Sequence, residues 1–214
     1  LIFLSERSVE LYKEIVDFDS DKIEFIPNGI DEVFFISGCK RKVNSENNLN
    51  IVFAGDEVRK EKGLEFLLNA VSKLNFDLNL YLIGNYSRTF ENYSGNIKIK
   101  VTERMDTNDF SKFLEDKDVF VSASSYEQFS ITAVEAMASG LTPIVTLETG
   151  MSSYIKNEEN GITLNFGDEE MLAKIIERLN SDRNLLITLS ENARSIYGKL
   201  SWGKVFESYK TLYK

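Results

Sequence analysis

Two glutamates eight residues apart, Glu127 and Glu135, bracket the middle of the stretch Ser122 to Gly140, SASSYEQFSITAVEAMASG. Its first half reads as a serine-rich turn. Its second half reads as a helix of small or slim residues (Ala133, Ala136, Met137, Ala138) suited to close packing on a sheet. With Ser130 as the helix cap, the amides around Phe129, Ser130, Ile131 and Thr132 are unpaired donors at the positive end of a helix dipole. Such an end is a receptor for phosphate oxygens. Glu127 then overhangs the anion site, and Glu135, in the second turn, leans back toward the helix start. Carboxylates do not hold phosphate, but they accept hydrogen bonds from vicinal hydroxyls. Two acids around an anion hole therefore point to a ligand with hydroxyls on both sides of a phosphate, such as a nucleotide sugar. The plainer alternative is a loop charge and a solvated helix charge, since an acid near a helix start is favourable in itself.

Cations stand in a second segment, FAGDEVRKEKGLEF, where Arg59, Lys60 and Lys62 follow Gly55 and precede Gly63. A guanidinium suits phosphate bidentately, although a charged, solvated turn explains the same composition.

The elements that position these segments read as alternating strands and helices. Apolar runs at 50–55, 78–84, 96–101 and 119–124, followed by TPIVTLE and GITLNF, read as strands. GLEFLLNAVSKL, NDFSKFLED, the helix after Ser130, DEEMLAKIIERL, RNLLITLSENARSIY and WGKVFESYKTLYK read as helices. Near the start, SERSVELYKEIV has helical spacing with Ser5 as its cap, a short strand KIEFI follows, and SGCKRKVNSENNLN reads as a polar loop or linker. Continuous apolar strands alternating with helices predict an α/β fold, a doubly wound parallel sheet of Rossmann-like type. In such sheets ligands sit beyond the carboxyl ends of the strands. The loops after the first strand, after the second (IGNYSR) and before the Ser130 helix are therefore expected to share one edge.

Composition narrows the function classes. The 214-residue chain carries 25 Lys and Arg against 34 Asp and Glu, a net charge of −9. That balance disfavours nucleic acid as a partner and electrostatic docking of this piece on anionic lipid. There is no histidine, which excludes Ser-His-Asp and Cys-His catalysis and histidine-ligated metals within these residues. Cys39 stands alone, so no internal disulfide forms and a cytoplasmic setting fits. No run reaches the roughly 18 to 20 apolar residues of a membrane span. The opening LIFLSERSVELY reads as the interior of a longer protein, a strand end running into a helix.

The Ser122–Gly140 stretch resembles the Glu-x7-Glu signature of the retaining glycosyltransferases of the two-Rossmann-domain (GT-B) type, relatives of glycogen and sucrose synthases. Their pattern E-G-F-G-x-x-x-x-E-A-M-A-x-G-x-P-V-V is met at Glu127, Phe129, Glu135, Ala136, Met137, Ala138, Gly140, Pro143 and Val145. It is departed from at Gln128 and Ser130, where glycines are usual, and by one extra residue before Pro143. The similarity extends along the chain through FIPNGID, FAGDEVRKEKGLEFLLNA, ETGMSSYIKNEENGITLNFGDEEML and LSWGKVFESYKTLY. Lys62 matches the family's phosphate-loop lysine. Asp56 stands where the family places an arginine, in a loop one residue longer, and Arg59 or Lys60 is expected to swing into that role.

The resemblance implies residues 1–26 as the remnant of an N-terminal acceptor domain, 27–200 as the nucleotide-sugar-binding domain, and 201–214 as a helix that crosses back. It implies a nucleoside-diphosphate sugar as donor, no cofactor and no metal. Lys62, Arg59 and amides near Phe129 to Ile131 would neutralise the diphosphate, with Gly55 close by. Glu127 would contact the transferred sugar, and Glu135 the ribose. The loops at Gly84–Asn85 and Thr102–Met105 would flank the base. Thr149 and Gly150 would approach sugar or phosphate, with a plain turn as the alternative. The acceptor, a glycan, lipid or other molecule, and any peripheral membrane contact would belong to the missing domain, leaving the isolated chain able to bind donor but poor at transfer. Two other readings stand: a non-catalytic module that keeps the fold, and a nucleotide-sugar epimerase, which usually relies on histidine.

Overall fold

The computed structural model describes residues 1–13, 16, 22–41, 48–90, 93 and 95–213. Six strands, β3 (Leu49–Ala54), β4 (Leu78–Ile83), β5 (Ile97–Thr102), β6 (Val119–Ser122), β7 (Thr142–Thr146) and β8 (Ile162–Leu164), form one sheet in the order β5-β4-β3-β6-β7-β8. All its pairings are parallel. The order runs outward from β3 in one direction and from β6 in the other, so the topological switch lies between those two strands. A crevice opens at such a switch because the two following connections leave to opposite faces of the sheet.

Strand alternation divides the core. Ile51 and Phe53 of β3 face one side, with Leu80, Leu82 and the buried faces of α3 (Leu64–Val71), α6 (Glu169–Ser181) and α7 (Arg183–Ala193). Val52 faces the other, with Phe120, Phe34 of α2 (Glu32–Lys40), Phe110 of α4 (Thr107–Phe113), Met137 of α5 (Ile131–Ala138) and Leu200 of α8 (Ile196–Leu200). Period-2 strands covered on both sides place apolar residues at every position, which is why these strands read as continuous runs.

The doubly wound architecture agrees with the sequence, with local corrections. Ser37 to Lys40, read as loop, form the end of α2; the rest of that linker, 42–47, lies outside the described residues. The helix was missed because Gly38 lowers its propensity. The glycine is needed there, since a Cβ would lie 2.5 Å from the Ala138 carbonyl oxygen. At the end of α2, Arg41 is buried and stitches three elements together. Its Nη1 donates to the Gly140 carbonyl at 2.6 Å and to Ser190 Oγ at 2.9 Å, and its Nη2 meets Asp118 Oδ1 at 3.3 Å.

The N-terminal segment, β1 (Ile2–Phe3), α1 (Glu6–Lys13) and β2 (Glu24–Phe25), adds a small parallel pair. It leans on the switch-point loops, because Ser5 Oγ donates to the Gln128 carbonyl at 2.7 Å. Ser5 Oγ also accepts the Ser8 amide at 3.3 Å, as expected of a cap. The last helix, α9 (Trp202–Leu212), leaves Trp202 and Phe206 exposed. No helix among the described residues is long and apolar enough to cross a membrane.

Candidate active site

The loops after β3 and β6 are drawn together at the switch point by backbone contacts that only particular residues permit. Gly63, the N-cap of α3, has φ +77°, and a Cβ there would sit 1.9 Å from the Ala123 carbonyl oxygen. The Ser125 amide donates to the Glu61 carbonyl at 2.8 Å. The loop after β7 braces the other side: the Gly150 amide donates to the Glu127 carbonyl at 2.9 Å, and Glu127 and Thr149 form a parallel bridge. A Cβ on Gly150 would meet the Gln128 carbonyl at 2.0 Å.

Between these loops opens a cleft of about 450 Å³ whose wall includes Gly55, Lys62, Glu127, Ile131, Thr132 and Glu135. Both glutamates, eight residues apart in sequence, face the same space. Arg59 also reaches it, as do Asp56, Arg104 and Asp106. Gly84, Thr102, Thr149 and Gly150 do not form its wall. Gly84, with φ +147°, lets the second loop press on the first, since its Cβ would lie 2.5 Å from the Gly55 carbonyl. Its amide donates to the Thr102 carbonyl at 3.0 Å. Thr149 and Gly150 stand behind Glu127 as its brace.

The carboxylate of Glu127 is held at both oxygens. Lys62 Nζ lies 2.5 Å from Oε1, and Ser124 Oγ donates to Oε2 at 3.0 Å. Lys62 and Glu127 are 14% and 16% exposed, so the pair is shielded but still open to the cleft. Arg59 Nε is engaged by Glu61 at 2.7 Å, a half-exposed and correspondingly weak pair.

Glu135 is different. Its carboxylate has no hydrogen-bond or ion-pair partner among the described residues. Burial, with a smaller contribution from the negative charge of Asp31, raises its pKa to about 7. An acid held half-buried without a partner at the wall of a cleft, with its pKa raised by burial, is a candidate functional group.

The start of α5 carries a correction. Ser130 occupies the cap position, but its side chain makes no capping bond; its Oγ lies 3.2 Å from Ser122 Oγ instead. Its backbone adopts φ 58°, ψ 74°, a left-handed conformation that costs a non-glycine residue roughly 1 kcal/mol. With no side-chain acceptor turned toward them, the amides of Ile131, Thr132 and Ala133 have no acceptor among the described residues. The helix start expected from sequence is therefore present, and its first amides are more open than a capped helix would leave them. The Phe129 side chain is buried edge-on against Tyr154, ring centroids 5.9 Å apart. Neither Phe129 nor Ser130 forms part of the cleft wall.

Sequence reasoning singled out the Thr102–Met105 loop but not Arg104 itself, and it passed over Phe34, Phe110, Asp106 and Thr107, which also line the cleft. The available signal was the run TERMDTND, a strand end followed by a helix cap. Asp106 does cap α4, accepting the Asp109 amide at 2.9 Å. No group of three or more His, Cys, Asp or Glu side chains placed to hold a metal occurs among the described residues.

A sequence model of the family described as Glycosyl transferases group 1 matches residues 39–196. The chain belongs to this family. It is 27% identical over 232 aligned positions to an uncharacterized glycosyltransferase of Methanocaldococcus jannaschii, covering 100% of the chain and 59% of the relative. Among solved structures it is similar to the sucrose-phosphate synthase of Thermosynechococcus elongatus, with TM-score 0.82 and 22% identity over 99% of this chain and 57% of that one. It is also similar to Anabaena HepE in complex with UDP-glucose, with TM-score 0.78 and 19% identity over 99% and 63%. The group 1 chain described here thus spans about 60% of the length of these proteins. The structural likeness establishes the GT-B type of Rossmann-like fold.

Proposed function

We propose that this group 1 chain is the donor-binding part of a retaining, metal-independent glycosyltransferase that moves a sugar from a nucleoside-diphosphate sugar to a glycan, lipid or other acceptor. One observation carries the reading: Glu135, Glu127 and Lys62 converge on one cleft at the sheet's switch point, beside three unpaired amides opening α5. Glu135, free of protein partners, accepts the ribose hydroxyls. The α5 amides and Lys62 face the diphosphate, whose negative charge grows as its bond to the anomeric carbon breaks. Fixed donors aimed at developing charge stabilise that departure without a metal. Glu127, fixed by Ser124 and Lys62, presents carboxylate lone pairs to the sugar hydroxyls and keeps Lys62 aimed at the phosphates. The acceptor, attacking on the face from which the nucleotide departs, is held by a domain that precedes this one. That assignment agrees with the roughly 60% coverage of the relatives. The UDP-glucose bound by HepE makes a uridine sugar the first donor to try.

The test is a calorimetric and thermal-shift panel of UDP-, GDP- and ADP-sugars against the chain and its Glu135→Ala variant. Binding of one base series, lost in the variant while its fold persists by circular dichroism, is the expected result. Failure of every donor to bind the wild-type chain would leave the fold as a non-catalytic scaffold.

A further inference from the structure

Asp56 poses an electrostatic problem for any phosphorylated ligand. It follows Gly55 directly at the end of β3, lines the cleft, and is only 11% exposed. The Asn85 amide, donating to Oδ1 at 2.9 Å, and secondarily Arg104 hold its carboxyl below the usual range, so the charge is permanent at neutral pH. Acids on the cleft wall (Asp56, Asp106, Glu127, Glu135) outnumber cations (Arg59, Lys62, Arg104). Two of those cations are turned to acids of their own, Lys62 to Glu127 and Arg59 to Glu61.

Arg104 comes from the loop after β5, two residues beyond the end of that strand, and its Nη2 meets Asp56 Oδ2. Both oxygens of Asp56 are thus occupied, one by a backbone amide that cannot move away. The aspartate is the fixed member of the pair. Arg104 is the exposed one, at 67%, with its Nε and Nη1 groups lacking acceptors among the described residues. A guanidinium tethered by one corner keeps its remaining donors for a second anion, and a planar fork suits phosphate.

From this juxtaposition, and resting on the donor-site reading above, we infer that Arg104 is a phosphate-binding residue of the cleft, held by Asp56 so that its free guanidinium edge faces the diphosphate of the donor. The cation that the first loop lacks at position 56 is supplied by the loop after β5, and the same guanidinium cancels the repulsion Asp56 would otherwise exert. Asp56 is a positioning residue in this arrangement and touches no ligand.

The experiment titrates UDP, GDP and ADP, and the corresponding nucleosides, into the 214-residue chain, into Arg104→Ala, and into the double variant Asp56→Arg, Arg104→Ala. Arg104→Ala is expected to weaken the diphosphate that binds by about tenfold, as for one charge-assisted contact, and to leave nucleoside affinity unchanged. The double variant, with its cation carried by the first loop, is expected to regain most of that loss. Unchanged diphosphate affinity in Arg104→Ala, an equal loss for nucleoside and diphosphate, or no recovery in the double variant each overturns the inference while leaving the donor-site reading intact. Absence of diphosphate binding by the wild-type chain overturns both.

Discussion

Replacing Glu135 by glutamine isolates the energetic consequence of leaving that acid without a partner. The unfolded chain titrates it near 4.5, and in the fold burial raises it to about 7. Below pH 4.5 both states hold the proton and the residue contributes nothing to the pH dependence. Between 4.5 and about 7 the native state keeps a proton that the unfolded state has released, so rising pH progressively favours unfolding. Above 7 the native carboxylate is charged and the whole cost is present. A difference of about 2.5 units at roughly 1.4 kcal/mol each gives about 3 kcal/mol. In a chain of this size that corresponds to about 6–12 °C in Tm. Other groups with shifted pKa, such as the buried Asp118, act equally in wild type and variant and cancel in the comparison. Thermal unfolding followed by circular dichroism from pH 4.5 to 8.5 should show equal Tm values at the acid end and a more stable Glu135→Gln protein at the alkaline end. Parallel curves across the range would show that the carboxyl is solvated or paired in solution and would refute the argument. The same titration bears on function: a ribose contact through the carboxylate should release a proton on ligand binding near pH 6 in wild type and none in the variant, readable from calorimetry in two buffers of different ionisation enthalpy.

Removing the Arg41 side chain as Arg41→Ala leaves Asp118 Oδ1 and the Lys117 carbonyl without the donors that Arg41 supplies, and should cost about 3–5 kcal/mol in urea unfolding. A loss below about 1 kcal/mol would mean that water replaces the guanidinium. Gly150→Ala, whose new methyl group would lie 2.0 Å from the Gln128 carbonyl, should push the Glu127 loop away from Lys62. Its mark is a loss of diphosphate binding larger than the accompanying loss of stability explains; intact binding would show that the loop yields without moving Glu127.

The apolar pattern determined the fold class, because short continuous runs alternating with segments of helical period fit strands of a parallel sheet covered on both faces. The helix α2 was less legible. Gly38 in α2 answers to the Ala138 carbonyl across the fold, a contact between residues a hundred positions apart. The sequence also determined the identities and spacing of Glu127, Glu135 and Lys62, and a helix start beside them.

What only the tertiary structure decided is how these groups are partnered. Glu127 and Lys62 meet because Gly63 lets α3 approach the β6 loop, whereas Glu135 is left alone by the packing of α5. Ser130 turns its hydroxyl inward because the chain must take a left-handed turn there, which no local preference of serine foretells. Asp56 and Arg104, 48 residues apart, form a pair only because β4 lies between β3 and β5 and brings both loops to one edge. Residue types set the chemistry available, but partnership depends on distances of a few ångströms between segments far apart in the chain, and those are fixed only when the sheet is assembled.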